Sequence, residues 1–195
     1  MEYLFLGLGW MLFYSSHTFL AMLNIKRKIR SQLKGLYKWY RLSYSLFSTL
    51  FFFALFLYAG SIPRIWLFGS GPVSTYLGFM LATFGTIISV KSMRNVSARR
   101  FIGLRPKDDL SETEPLVTEG WYGYMRHPLY AGLILIFIGY FLYAPNLSSL
   151  IHLSALLLYL PVGIYYEEKK LLEIHGNRYA AYQKEIPAII PRIKK

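Results

Sequence analysis

LYAGLILIFIGYFLYAPNLSSLIHLSALLLYLPVGIYY, residues 129–166, contains two long apolar runs and no lysine, arginine, aspartate or glutamate. One turn signal lies between them, Pro145-Asn146, residues that suit a chain reversal and not a helix interior. Crossing a bilayer as a helix takes about 20 residues. The stretch therefore reads as two membrane helices, Leu129–Tyr143 and Leu147–Tyr166, forming an antiparallel helical hairpin.

Three further apolar runs precede it: Tyr3–Leu23, Leu42–Ala59 and Thr75–Val90. The third and fourth of the five are short and need flanking residues to span. Charged residues are only 16% of the chain, below the roughly 25% usual in soluble proteins. No strand-like alternation appears anywhere. The expected fold is all-α, a polytopic membrane protein with five transmembrane helices. It reads as one domain over residues 1–195. Three N-terminal helices occupy 1–90; a loop, the hairpin and a tail occupy 91–195.

The net charge of +12 raises the possibility of nucleic acid, and its distribution argues against it. Lys26, Arg27, Lys28, Arg30, Lys34, Lys38 and Arg41 lie in the first loop. Lys91, Arg94, Arg99, Arg100, Arg105, Lys107 and Arg126 lie in the third, and Lys169, Lys170, Arg178, Lys184, Arg192, Lys194 and Lys195 in the tail. Only Arg64 falls on the other side, so 21 of 22 basic residues share one face. That pattern puts the N-terminus outside and the C-terminus in the cytoplasm. Glu2 stands where a signal peptide would carry basic residues, so the first run is expected to be an uncleaved helix. Trp39, Trp66 and Trp121 sit beside span ends, where amphipathic rings favour the interface. Gly78, Ala82 and Gly85 offer a neighbouring helix close contact.

With no cysteine, disulfides, thiolate metal sites and a cysteine nucleophile are excluded. His17, His127, His152 and His175 lack a metal-ligand spacing, so no metal is expected. Gly7-Leu8-Gly9 and Gly69-Ser70-Gly71 are too sparse for a phosphate loop.

The chemistry concentrates at the hairpin's threshold, GYMRHPLYAG, residues 123–132. Proline suits the first turn of a helix. A helix start with free backbone N–H groups attracts anions, and Arg126 offers a bidentate carboxylate contact. The hairpin brings Arg126–Tyr130 near Tyr165–Glu168. Glu167 and Glu168 also mark where a helix leaves the bilayer, and pairing with Lys170 or Arg126 is the plain reading of them. The tail is expected to open as a helix with Leu171, Leu172 and Ile174 on its apolar face, ended by Gly176. A second short helix places Tyr179 and Tyr182 on one face, stopped by Pro187 and Pro191. His17, inside the first span, faces a bundle or cavity. Its plain role is an interhelical hydrogen bond shared with Ser15, Ser16 or Thr18, and a substrate contact is the alternative.

These pieces make a cytoplasmic pocket with anion donors, carboxylates and tyrosines. It suits a zwitterionic cofactor whose cationic centre rests on aromatic faces.

LVTEGWYGYMRHPLYAG followed by EEKKLLEIHGNRYAAYQKEIPAIIP resembles the isoprenylcysteine carboxyl methyltransferase superfamily, membrane enzymes that use S-adenosylmethionine. The resemblance covers roughly residues 116–191. It implies that Leu116, Val117, Gly120, Tyr122, Arg126, His127, Tyr130, Glu168, Tyr179 and Tyr182 line the cofactor pocket. Glu167 would face the reacting centre, with Glu167 and His127 as the catalytic pair. Prenylcysteine-processing members carry an arginine four residues before a glutamate in this region, and here that position is Gly163. GWMLFYSSHTFLAM, YRLSYSLFS and FIGLR are similar to the NnrU-like and methanethiol S-methyltransferase-like branch, as is Val162-Gly163-Ile164. On that reading His17 and Gly163 border the substrate.

The function expected is therefore methyl transfer from S-adenosylmethionine to a small thiol or other lipophilic acceptor. The alternatives are a prenylcysteine carboxylate, a phospholipid amine, or a non-enzymatic membrane scaffold or carrier. The third loop, which mixes seven basic residues with Asp108, Asp109, Glu112, Glu114 and Glu119, is open to reading as a charged lid.

Overall fold

The computed structural model describes residues 1–95, 103, 104, 108, 110 and 115–192. Most of the third loop lies outside these residues, including Arg99, Arg100, Arg105, Lys107, Asp109, Glu112 and Glu114. The lid reading and most of FIGLR lie outside them too.

The described chain is helical, as its patterning requires. In order it forms α1 (Glu2–Ala21), α2 (Leu23–Leu33), a 3₁₀ stretch (Lys34–Trp39), α3 (Tyr40–Ser61) and α4 (Pro72–Asn95). A 3₁₀ turn (Gly120–Gly123), α5 (Pro128–Tyr143), α6 (Leu147–His175) and α7 (Asn177–Glu185) follow. α1, the Leu23–Ser61 stretch containing α3, α4 and α6 are long and apolar enough to cross a membrane. α4 gains the flanking residues its run needed. α5 does not: its 16 residues span about 24 Å, against a hydrocarbon core near 30 Å.

α2 is a difference from expectation, since residues 24–41 read as a loop between the first two apolar runs. Its helical phase puts Ile25, Ile29 and Leu33 four apart, with Lys26, Arg27, Lys28 and Arg30 on the remaining positions. Arg27 reaches Glu173 on α6 at 2.6 Å, and Arg30 reaches Asp108 at 2.6 Å.

α6 starts on a capping box, the Asn146 side chain accepting from the Ser149 N–H at 3.0 Å and the Ser149 hydroxyl accepting from the Asn146 N–H at 3.2 Å. It continues without a break through Glu167 and Glu168 to Gly176, whose φ of +53° ends it. The tail's first helix is thus the last span prolonged, and α7 follows and stops before Pro187.

Cross-contacts fix which helix ends lie together. The Tyr3 hydroxyl donates to Pro63 O at 2.5 Å, Leu67 N–H to Pro145 O at 2.9 Å and Leu147 N–H to Ile65 O at 2.9 Å. The 60–72 segment is therefore stitched to the α5–α6 connection, at the opposite end of the bundle from Arg126. Between the ends, Leu6, Trp10, Phe13, Leu55, Phe137, Leu156 and Leu160 form the core. Trp10, fully buried, donates its indole N–H to His152 Nδ1 at 2.7 Å. α4 and α5 touch backbone to backbone: a Cβ on Gly85 would stand 2.5 Å from Gly132 O, and one on Gly78 2.7 Å from Gly139 O. Of the small residues expected to admit a neighbour, Gly78 and Gly85 do so for α5, and Ala82 packs against Gly139.

Candidate active site at the start of α5

His127 occupies the cap position of α5, with Pro128 next, so Arg126 and His127 project from the last non-helical turn. The chain after α7 runs back along this turn. Arg126 N–H donates to Pro187 O at 2.9 Å, His127 N–H to Ala188 O at 2.9 Å, and Arg192 N–H to Tyr124 O at 2.9 Å. This strap ties the tail to the turn through its backbone, while Ile190 stays exposed.

Glu168 is the hub. Its Oε1 accepts from Arg126 Nε at 2.7 Å and Nη2 at 2.6 Å, and lies 3.1 Å from His127 Nε2. Its Oε2 accepts from the Gln183 carboxamide at 2.7 Å. Arg126 Nη1 also donates to Gln183 O at 3.0 Å and to Ile186 O. The Arg126 and Glu168 side chains are only 11% and 14% exposed. The expected pairing of a carboxylate with Arg126 is present, and every arm of the guanidinium already has a protein acceptor.

Glu167 is different. Its Oε2 lies 3.5 Å from His127 Nδ1, and its side chain keeps 43% of its surface open. Tyr130 lies beside it, with its ring stacked on His127 at 5.5 Å. His17, Tyr44, Tyr122 and Tyr159 all fall within its electrostatic reach, from α1, α3, the 3₁₀ turn and α6.

His127 faces a carboxylate from each ring nitrogen. Burial opposes the imidazolium, yet Glu167 and Glu168 together outweigh it and hold His127 above its ordinary value. Tyr122 and Tyr182 are pushed up to about 12, each chiefly by burial, so both remain neutral donors. The Tyr182 hydroxyl donates to Tyr122 O at 2.7 Å, joining α7 to the 3₁₀ turn. The buried Tyr179 hydroxyl has no hydrogen-bond partner among the described residues.

Of the residues expected at the site, Arg126, His127, Tyr130, Glu167, Glu168, Tyr122, Tyr179 and Tyr182 are thus brought together. Gly120, with φ of +63°, lines an open cleft of about 690 Å³ with Lys91, Arg94, Trp121, Tyr124 and Pro191. Leu116 and Val117 are half-buried in the segment leading to that turn. His17 makes an interhelical contact as its plain reading required, with other partners than expected. The Tyr44 hydroxyl lies 2.9 Å from its ring nitrogens and Ser48 Oγ 3.1 Å from Nδ1, both on α3. Thr18 instead pairs with the Tyr159 hydroxyl at 2.9 Å, and the Ser16 hydroxyl donates to Phe13 O. Gly163 is covered by Tyr159, whose ring carbon would stand 2.8 Å from a Cβ placed there. Gln183, Tyr44, Ser48 and Tyr159 were missed. Tyr44 and Ser48 lie within YRLSYSLFS, and Tyr159 carried a signal of another kind, since Tyr159, Gly163 and Glu167 recur every four residues along one helix face. Among the described residues no group of three metal-ligating side chains converges.

A family model described as phospholipid methyltransferase matches residues 73–178, and the chain belongs to that family. A methanethiol S-methyltransferase of Crocosphaera subtropica is 32% identical over 161 residues, covering 80% of this chain and 62% of the relative. A protein-S-isoprenylcysteine O-methyltransferase of Schizosaccharomyces pombe is 31% identical over 118 residues, covering 60% and 46%. One from Arabidopsis thaliana, protein-S-isoprenylcysteine O-methyltransferase B, is 33% identical over 81 residues, 41% of each chain. The chain thus spans less than two thirds of the length of each of these relatives. No solved structure matches it.

Proposed function

We propose that this integral-membrane protein transfers a methyl group from S-adenosylmethionine to a small thiol, with donor and catalytic groups at the cytoplasmic face. The observation that carries this is Glu167, whose carboxylate faces His127 and whose side chain keeps 43% of its surface open, at the meeting of five chain elements beside a buried, charge-compensated cluster. The methanethiol S-methyltransferase relative supports the acceptor class. The placement of 21 of 22 basic residues on one side supports the orientation.

The residues present suit a zwitterion with a cationic centre. Tyr130 and Tyr122 provide aromatic faces, Glu167 a nearby carboxylate, and Tyr179 a buried hydroxyl in want of an acceptor. Leu116, Val117 and Gly120 would complete the pocket wall. S-adenosylmethionine held there would supply a sulfonium methyl for in-line transfer to the acceptor sulfur, with a neutral thioether as the leaving group. A thiol reacts as its thiolate, and Glu167 is placed to take its proton. His127 serves as a charged bridge between two carboxylates rather than as the base, since carboxylates only accept and each ring nitrogen faces one. Arg126 holds Glu168 and the strap, which leaves it no free arm for the donor's carboxylate.

A prenylcysteine carboxylate fits less well. The position that carries an arginine in enzymes of that specificity is Gly163, and Tyr159 fills the space above it. The test is methyl-labelled S-adenosylmethionine with purified protein and methanethiol, farnesylcysteine and phosphatidylethanolamine in parallel. Label on methanethiol, abolished by Glu167→Gln, is the expected result. Label on either other acceptor alone would replace the thiol reading.

A further inference from the structure

Tyr159 lies on the bilayer side of Glu167, two helical turns back on the same face of α6. Three contacts from two directions fix it. Its ring stacks on Tyr14 of α1 at 4.1 Å and 12°, its hydroxyl pairs with Thr18 of α1 at 2.9 Å, and its edge lies over Gly163. The hydroxyl would stand 3.0 Å from a Cβ on Gly163. The side chain thus runs forward along the helix, over the turn between itself and Glu167. Gly163 is what admits it, because any side chain there would collide with the ring.

The geometry points to Tyr159 as the residue that sets the length of the acceptor: we propose that it closes the membrane side of the acceptor space and restricts it to short thiols. The inference rests on the methyltransferase reading given above. Four residues of helix separate Gly163 from Glu167, a rise of about 6 Å. A thiol with one or two carbons is no longer than that interval, while a long chain lying along this face meets the Tyr159 ring. Tyr159 cannot swing aside cheaply, since doing so breaks the Thr18 hydrogen bond and unstacks Tyr14. It touches neither donor nor reacting atoms, so its role is specificity and not chemistry.

The experiment uses full-length protein in nanodiscs, methyl-labelled S-adenosylmethionine, and straight-chain thiols from methanethiol to decanethiol. Wild type should lose at least about tenfold in kcat/KM between ethanethiol and octanethiol, within the range that a closed apolar pocket imposes per misfit group. Tyr159→Ala should flatten that profile at least about fivefold, mainly through KM for the longer thiols. Tyr159→Phe, which keeps the ring and loses the Thr18 bond, should retain the wild-type profile. Tyr159→Leu keeps apolar packing and decides the matter if the alanine variant is not monodisperse. A wild type that methylates all chain lengths equally, or Ala and Leu variants with an unchanged profile, overturns the inference and leaves the thiol reading standing. Transfer to no thiol at all overturns both.

Discussion

Replacing Arg126 by alanine should loosen the strap that completes the site. Arg126 makes two charge-assisted bonds to Glu168 and two to the Gln183 and Ile186 carbonyls. Both members of the ion pair are nearly enclosed. Removing one partner of such a pair costs about 3–5 kcal/mol, because the other is left charged and buried. Here His127 and Gln183 still reach Glu168, which argues for the lower end, about 3 kcal/mol. Each 1.36 kcal/mol is a factor of ten, so exchange of the amides that the strap protects, those at positions 126 and 127 and of Arg192, should accelerate by about two orders of magnitude. The natural assay is hydrogen–deuterium exchange with mass spectrometry in detergent, with Arg126→Lys alongside. Lysine keeps the charge and loses the fork, so it should fall between the two. Protection of those three amides within threefold of wild type in the alanine variant would refute the reasoning.

Three further outcomes follow from the geometry. Gly85→Ala should destabilise by about 1–3 kcal/mol, because its Cβ meets the Gly132 carbonyl; Gly7→Ala, with open space around it, should be neutral or stabilising, both read from thermal unfolding in detergent. Tyr44→Phe should cost about 0.6 kcal/mol, up to about 1.7, the range of interhelical bonds in membranes, with no larger change in thermal midpoint than that allows. His127 is held above its ordinary 6.5, so its pairing stabilises fully below about that pH and the contribution fades as pH rises through the raised folded value. The thermal midpoint should therefore fall on the alkaline side, and His127→Gln should flatten that decline; an unchanged slope would count against the two-carboxylate bridge.

The helices were legible because apolar length is a direct consequence of the solvent they cross. The two ends of α6 were readable, the turn at Pro145-Asn146 and the stop at Gly176, since both are local chemistry; that the span and the tail helix are one helix was not. α2 is masked in the sequence by the seven basic residues of the first loop, although Ile25, Ile29 and Leu33 carry the helical period. The pairing of Arg126 with Glu168 was foreseeable from the hairpin. The strap was not, because it runs through backbone groups of Pro187 and Ala188 that leave no trace in side-chain identity. His17's partners were misplaced for a related reason. Ser15, Ser16 and Thr18 are its neighbours in sequence, while Tyr44 and Ser48 sit on another helix whose register the sequence does not specify.

The strap also divides the labour of the chain. The helices that can cross the bilayer, α1, α3, α4 and α6, all lie before residue 186. The Pro187, Ala188 and Arg192 backbone contacts that clamp the Arg126 turn lie after it. A chain ending shortly after α7 would keep every one of those spans and lack the clamp across its site.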